Sequence, residues 1–115
     1  MKYVFVFVLL TMAFGCLITT RTVSSDSYNA SATDAAQLYA KNCASCHGKD
    51  GRAKTIKGKL KHARDLTDSE WQSRVGDEQI FNSIINGKGK MPAFNKKLTE
   101  SEIDSLVIYV RGLKK

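Results

Sequence analysis

Cys43-Ala44-Ser45-Cys46-His47 sets two thiols three positions apart and an imidazole directly after the second. Residues three apart on a helical turn lie on one side, so both sulfurs can reach one flat ligand while the next residue turns towards its centre. C-x-x-C-H is the pattern of c-type haem attachment. Cys43 and Cys46 would then form thioethers to the haem vinyl groups, and His47 would supply the proximal iron ligand. Three other chemistries use such a cysteine pair. A thioredoxin-type dithiol needs a strand–helix–strand setting, and no strand pattern precedes Cys43. A zinc site needs four ligands, and beyond the cysteines only His47 and His62 are candidates, much further apart than the three to five residues of a zinc finger. A plain disulfide would leave His47 unexplained.

Downstream, the second axial position calls for a Met or a His. Beyond the N-terminal apolar stretch the only methionine is Met91, within Asn86-Gly87-Lys88-Gly89-Lys90-Met91-Pro92-Ala93-Phe94. Pro92 biases Met91 towards extended backbone, and the glycines let the loop run close to a flat ligand. His62 is the competitor, but it stands among Lys59, Lys61 and Arg64 and reads as a surface residue. Leu60, Leu66, Ile80, Ile84, Phe94 and Leu98 are the candidate apolar wall.

Helical signals surround these motifs. A helix over about Asp34 to Asn42 follows Thr33 or Ser31 as its cap. Thr67-Asp68-Ser69-Glu70 reads as a capping box opening a short helix through Val75. Asp77 and Glu78 place negative charge at the start of a third helix, which carries Ile80, Phe81, Ile84 and Ile85 and stops at Gly87. Thr99-Glu100-Ser101-Glu102 opens the last, with Ile103, Leu106, Val107 and Val110 on one face and Gly112 at its end. The expected fold is all-α, with about four short helices and long loops wrapped around one haem.

Upstream, Tyr3 to Thr20 carry no charge and follow Lys2, as in a signal peptide or membrane anchor over residues 1–18. Ala13-Phe14-Gly15-Cys16 resembles a lipobox, which would make Cys16 a lipidated first residue; a cut after Ser25 and an uncleaved anchor are the alternatives. Residues 19–33 are Ser-, Thr- and Ala-rich and read as a flexible linker. That leaves residues 34–115 of the 115 as the domain, a length that usually needs a staple such as a bound cofactor. Export also disfavours a nucleic acid as partner, although 18 Lys+Arg against 11 Asp+Glu would otherwise raise it.

The chain resembles the class I c-type cytochromes, especially the small bacterial monohaem ones. The resemblance rests on Ala40-Lys41-Asn42-Cys43-Ala44-Ser45-Cys46-His47-Gly48, on Lys90-Met91-Pro92-Ala93-Phe94 and on Leu106-Val107-Ile108-Tyr109-Val110-Arg111. It implies the compact class I fold with one covalent haem c, and a pairing of N- and C-terminal helices where Tyr39 and Tyr109 would meet. It also implies that Trp71, with Phe94 and Tyr39, lies in the haem pocket, Trp71 near a propionate or simply in the core. Many relatives have a proline after the haem motif near the carbonyl that orients the His; this chain has only Pro92, so its acceptor for His47 has no sequence signal.

His and Met ligation leaves no vacant iron position, and the thioether favours the ferrous state. The expectation is a one-electron carrier with no catalytic residue and no small-molecule substrate, in the periplasm or at the outer face of a membrane. Arg52, Lys54, Lys57, Lys59, Lys61 and Arg64 form an acid-free basic block, which Lys88 and Lys90 extend beside Met91. Such a block can steer docking to redox partners with acidic surfaces. Two alternatives remain: a haem subunit of a larger oxidoreductase complex, and a gas-reactive or peroxidase site with Met91 displaced.

Overall fold

The computed structural model describes residues 25–115, with side chains from 34 onward; the expected export segment, Cys16 and the start of the linker lie outside the described residues. Six helical segments occur among them: α1 (Ser25–Asn42), α2 (Ala44–His47), α3 (Ile56–Lys61), α4 (Ser69–Arg74), α5 (Asp77–Asn86) and α6 (Glu100–Gly112). The architecture is all-α, as expected; beyond the helices the described residues hold only one antiparallel bridge pair, Lys88 with Met91.

Three local readings need correction. The first helix starts at Ser25 rather than Asp34, so residues 25–33 of the stretch read as linker are helical. No Gly or Pro interrupts that stretch, and nothing in the local sequence stops the helix. Two short helices, α2 and α3, add to the four expected. The cap of α4 is Asp68, not Thr67: the Asp68 carboxylate accepts the Glu70 and Trp71 backbone N–H groups at 3.0 and 3.1 Å. Thr67 is instead buried, with its hydroxyl donating to Asp65 at 2.7 Å.

The capping box of α6 forms as read, with Glu102 Oε2 accepting the Thr99 N–H at 2.7 Å. Its apolar face, Ile103, Leu106, Val107 and Val110, is buried, each side chain contributing about 1.5–3 kcal/mol on leaving water. It packs against Tyr39 of α1 and against Ile80 and Ile84 of α5 in one core with Leu66 and Leu98. Tyr39 is 1% exposed and its ring lies 4.8 Å from that of Tyr109, tilted by 37°, the expected meeting of terminal helices.

A buried polar fastening joins α4 to α6. Gln72 Nε2 donates to the carbonyls of Leu66 at 2.7 Å and Val110 at 2.8 Å. Arg111 donates to the carbonyls of Gln72 and Val75 at 2.7 and 2.6 Å and to Asp77 at 2.6 Å. These bonds satisfy the carbonyls left over at the end of α4 and fix the wall that carries Trp71.

Candidate haem site

Helix α2, with Cys43 as its N-cap, holds the C-x-x-C-H motif in one helical turn. The His47 N–H donates to the Cys43 carbonyl at 2.9 Å and the Cys46 N–H to the same oxygen at 3.1 Å. Thr55 braces this turn from below: its hydroxyl lies 2.9 Å from the Ser45 carbonyl and 3.0 Å from that of Cys46, and it accepts the Gly58 N–H that starts α3. Gly58 is buried against the Cys46 carbonyl, and a Cβ there would collide with it. Two positions further along, Leu60 is rotated by about 200° and stands 70% exposed. The expectation that Leu60 lines the pocket is therefore wrong: the face of α3 that meets the haem motif belongs to Gly58.

Helix α3 ends at His62, whose backbone is left-handed at φ 53. The reversal carries Arg64 under the motif, where its carbonyl lies 2.9 Å from His47 Nδ1. A carbonyl can only accept, so Nδ1 carries the proton and Nε2 of the neutral ring keeps its lone pair for a metal. Sequence reasoning found no acceptor for His47 because the acceptor is a backbone atom reached through a turn. The His62 ring lies at the rim of the same cavity and is exposed.

Met91 is positioned by a separate device. Lys88 and Met91 exchange backbone hydrogen bonds of 3.1 and 3.0 Å across a Gly89-Lys90 turn. Gly87, at φ 75, starts the loop with backbone so close behind it that a Cβ would stand 2.7 Å from the Met91 carbonyl oxygen. Beyond Pro92 the Phe94 N–H returns to the Ile84 carbonyl at 3.0 Å, closing the end of α5. The loop is thus pinned at both ends, with Met91 half-buried between them.

These elements enclose a cavity of about 1000 Å³, at the upper end of the ~300–1,000 Å³ usual for ligand pockets. Cys43, Cys46, His47 and Met91 all line it, with Leu66, Trp71, Ile80, Ile84 and Phe94 as apolar wall. Leu98 belongs to the core behind. Tyr39 also reaches the cavity; its hydroxyl donates to the Gly48 carbonyl at 2.8 Å, and burial holds its phenol above the usual range, so it stays a donor. Burial, and then the neighbouring Cys46, push the Cys43 thiol up to about 11. Both cysteines are free thiols, and the described residues bring no three His, Cys, Asp or Glu side chains together as a metal cluster. An apolar cleft with two thiols, one imidazole nitrogen and one thioether on its wall fits an iron porphyrin. Asn42 Oδ1, also at this wall, is buried without a partner.

The basic block does not act as one unit. Lys57, Lys61 and Arg64 line the cavity and meet Lys88 and Lys90 from the Met91 loop, whereas Arg52, Lys54 and Lys59 lie off it. Arg52 stands 3.9 Å from Asp50. Helical winding explains the split on α3: Lys57 and Lys61 are four apart and share a side, and Lys59 is turned from both. No Asp or Glu lines the cavity. Among the described residues no helix is long and apolar enough to cross a membrane.

Residues 30–110 match a family described as cytochrome c oxidase, cbb3-type, subunit III. Cytochrome c6 of Nostoc sp. is 33% identical, over 97% of this chain and 94% of that protein. The cbb3-type cytochrome c oxidase subunit CcoP of Cereibacter sphaeroides is also 33% identical, over 79% of this chain. The chain spans only 31% of the length of that subunit. Among solved structures, the KustC0563 c-type cytochrome superposes with a TM-score of 0.66 at 41% identity, covering 71% of this chain and 99% of the other.

Proposed function

The chain belongs to the class I c-type cytochromes, small proteins that carry electrons on one covalently bound haem c, and on that premise we propose that it shuttles single electrons between redox proteins outside the cytoplasm. When bound, the haem iron supplies a ferrous–ferric couple. Cys43 and Cys46 would anchor the haem, and His47 would offer Nε2 to the iron while the Arg64 carbonyl holds its Nδ1 proton. Met91, presented from its pinned loop on the same cavity, would supply the second iron ligand. With His47 and Met91 both holding the iron, no position would remain for a substrate, and the buried apolar wall would limit water there and disfavour the ferric charge. The observation that carries this reading is that one cavity is lined by both cysteines, by a histidine held in the metal-binding tautomer and by the methionine of a braced loop.

Partner choice follows from charge. Lys57, Lys61, Arg64, Lys88 and Lys90 ring the cavity without an acid among them, which supports docking to proteins with acidic surfaces. Export to the periplasm, free or tethered through the N-terminal segment, rests on the apolar run of Tyr3 to Thr20. A second reading, a haem module inside a larger oxidase complex, is favoured by the match to the oxidase subunits. Two measurements test the carrier reading. The ferrous holoprotein is expected to leave carbon monoxide unbound, and Met91→Leu to bind it readily; carbon monoxide binding by the unaltered protein would sink the reading. Co-purification with an oxidase core at fixed stoichiometry would favour the second.

A further inference from the structure

Helix α3 presents two aliphatic side chains to water beside the cavity. Ile56 is 83% exposed and Leu60 70%, the two most exposed large hydrophobic side chains of the described chain. They stand four residues apart and so share one face of the helix. The adjoining face carries Lys57 and Lys61, which line the cavity. On the far side of the mouth, Lys90 Nζ donates to the Leu60 carbonyl at 3.2 Å, tying the Met91 loop to this same helix. The apolar pair therefore sits next to the edge of the haem cleft, on a surface continuous with the loop of the second iron ligand. Burying the pair against the body would require turning Gly58 away from the Cys46 carbonyl, which its close packing forbids.

We propose that Ile56 and Leu60 are the desolvated centre of the docking surface for an acidic redox protein, with the surrounding lysines as its rim. This deepens the carrier reading and rests on it. Charge selects the occupant. A second copy of this chain would bring Lys57, Lys61, Lys88 and Lys90 against their own equivalents, and like charges face to face are costly. A partner with carboxylates around an apolar spot meets both features. The two parts divide the work: rim charges govern the encounter rate and its salt dependence, whereas a central apolar contact governs how long the complex lasts.

The test compares the reduced full-length holoprotein with Ile56→Ser/Leu60→Ser and with Lys57→Gln/Lys61→Gln. Each is oxidised by membranes of the native cells and, separately, by hexacyanoferrate(III), a small anion that senses charge but cannot make the apolar contact. The serine pair should raise the KM for membranes about tenfold or more, leaving the salt slope and the hexacyanoferrate rate unchanged. The glutamine pair should flatten the salt dependence with both oxidants. An unchanged KM in the serine pair overturns the proposal. An equal loss with hexacyanoferrate also overturns it, because the pair would then act on the haem site itself. Binding to anionic lipid vesicles that the serine pair abolishes would reassign the surface to lipid. If the unaltered protein is oxidised by hexacyanoferrate but by no membrane preparation at any salt, the carrier reading fails and the docking centre fails with it.

Discussion

Replacing Gly87 by Ala isolates what holds Met91 in place. Two costs arise there. The backbone at φ 75, ψ 166 lies in an extended positive-φ region essentially restricted to glycine, which costs an L-residue about 1–3 kcal/mol. The added Cβ would also stand 2.7 Å from the Met91 carbonyl oxygen, 2.9 Å from the Ala93 nitrogen and 3.0 Å from the Pro92 carbonyl carbon. All three are backbone atoms and none can rotate away, so the loop itself must shift, an overpacking cost of about 1–3 kcal/mol. The sum, about 2–6 kcal/mol, is a large part of the ~5–15 kcal/mol that holds a domain together. Two other glycines separate the contributions. Gly89 has φ 57 but open space around its Cβ position, so Gly89→Ala should cost only the conformational ~1–2 kcal/mol. Gly112 ends α6 with neither constraint, and Ala there should be neutral or stabilising by up to ~1 kcal/mol. Thermal unfolding of the holoproteins reads the series, at about 4–8 °C per kcal/mol for a domain of this size. Gly87→Ala should fall by about 8–48 °C and Gly89→Ala by about 4–16 °C, and Gly112→Ala not at all. A Gly87→Ala transition indistinguishable from that of Gly89→Ala would refute the crowding argument. Because the first atom struck is the Met91 carbonyl, Gly87→Ala should also weaken methionine ligation, read as carbon monoxide binding by the ferrous form.

Gln72→Leu leaves the buried Leu66 carbonyl without its donor, whereas the Val110 carbonyl keeps the Leu113 N–H at 3.1 Å, so the cost should be about 1–3 kcal/mol; the denaturation midpoint should fall accordingly, and an unchanged midpoint would remove the fastening from the account. The Asp65 carboxyl is held below the ordinary carboxylate range, chiefly by the Thr67 hydroxyl and also by the Thr67 N–H. With the folded pKa below the unfolded one, its contribution is complete above the unfolded value of about 3.9 and is lost as pH falls through the lower folded value. Since the group is only half-buried, Asp65→Asn should cost about 1 kcal/mol or less near neutral pH, and the gap to the unaltered protein should close in acid. A gap that widens in acid would reverse the sign of that linkage.

Local chemistry determined a good deal by itself. The Cys43–His47 spacing named the cofactor, the Thr99–Glu102 box and the apolar face behind it placed α6, and the Pro92 neighbour and flanking glycines singled out Met91, because each is a relation between residues only a few positions apart. Where a competing partner lay further off, local reading slipped. Thr67 had the look of a cap until Asp65 took its hydroxyl, and Leu60 had the look of pocket wall until Gly58 claimed the inner face of α3. Tertiary structure alone decided which atom orients His47, since the Arg64 carbonyl has no side-chain signature and arrives only through the left-handed turn at His62. It also decided which of the eight basic side chains meet at the cavity mouth. Charge is written in the composition, but a common face is a property of helical phase and of loops brought together across the fold.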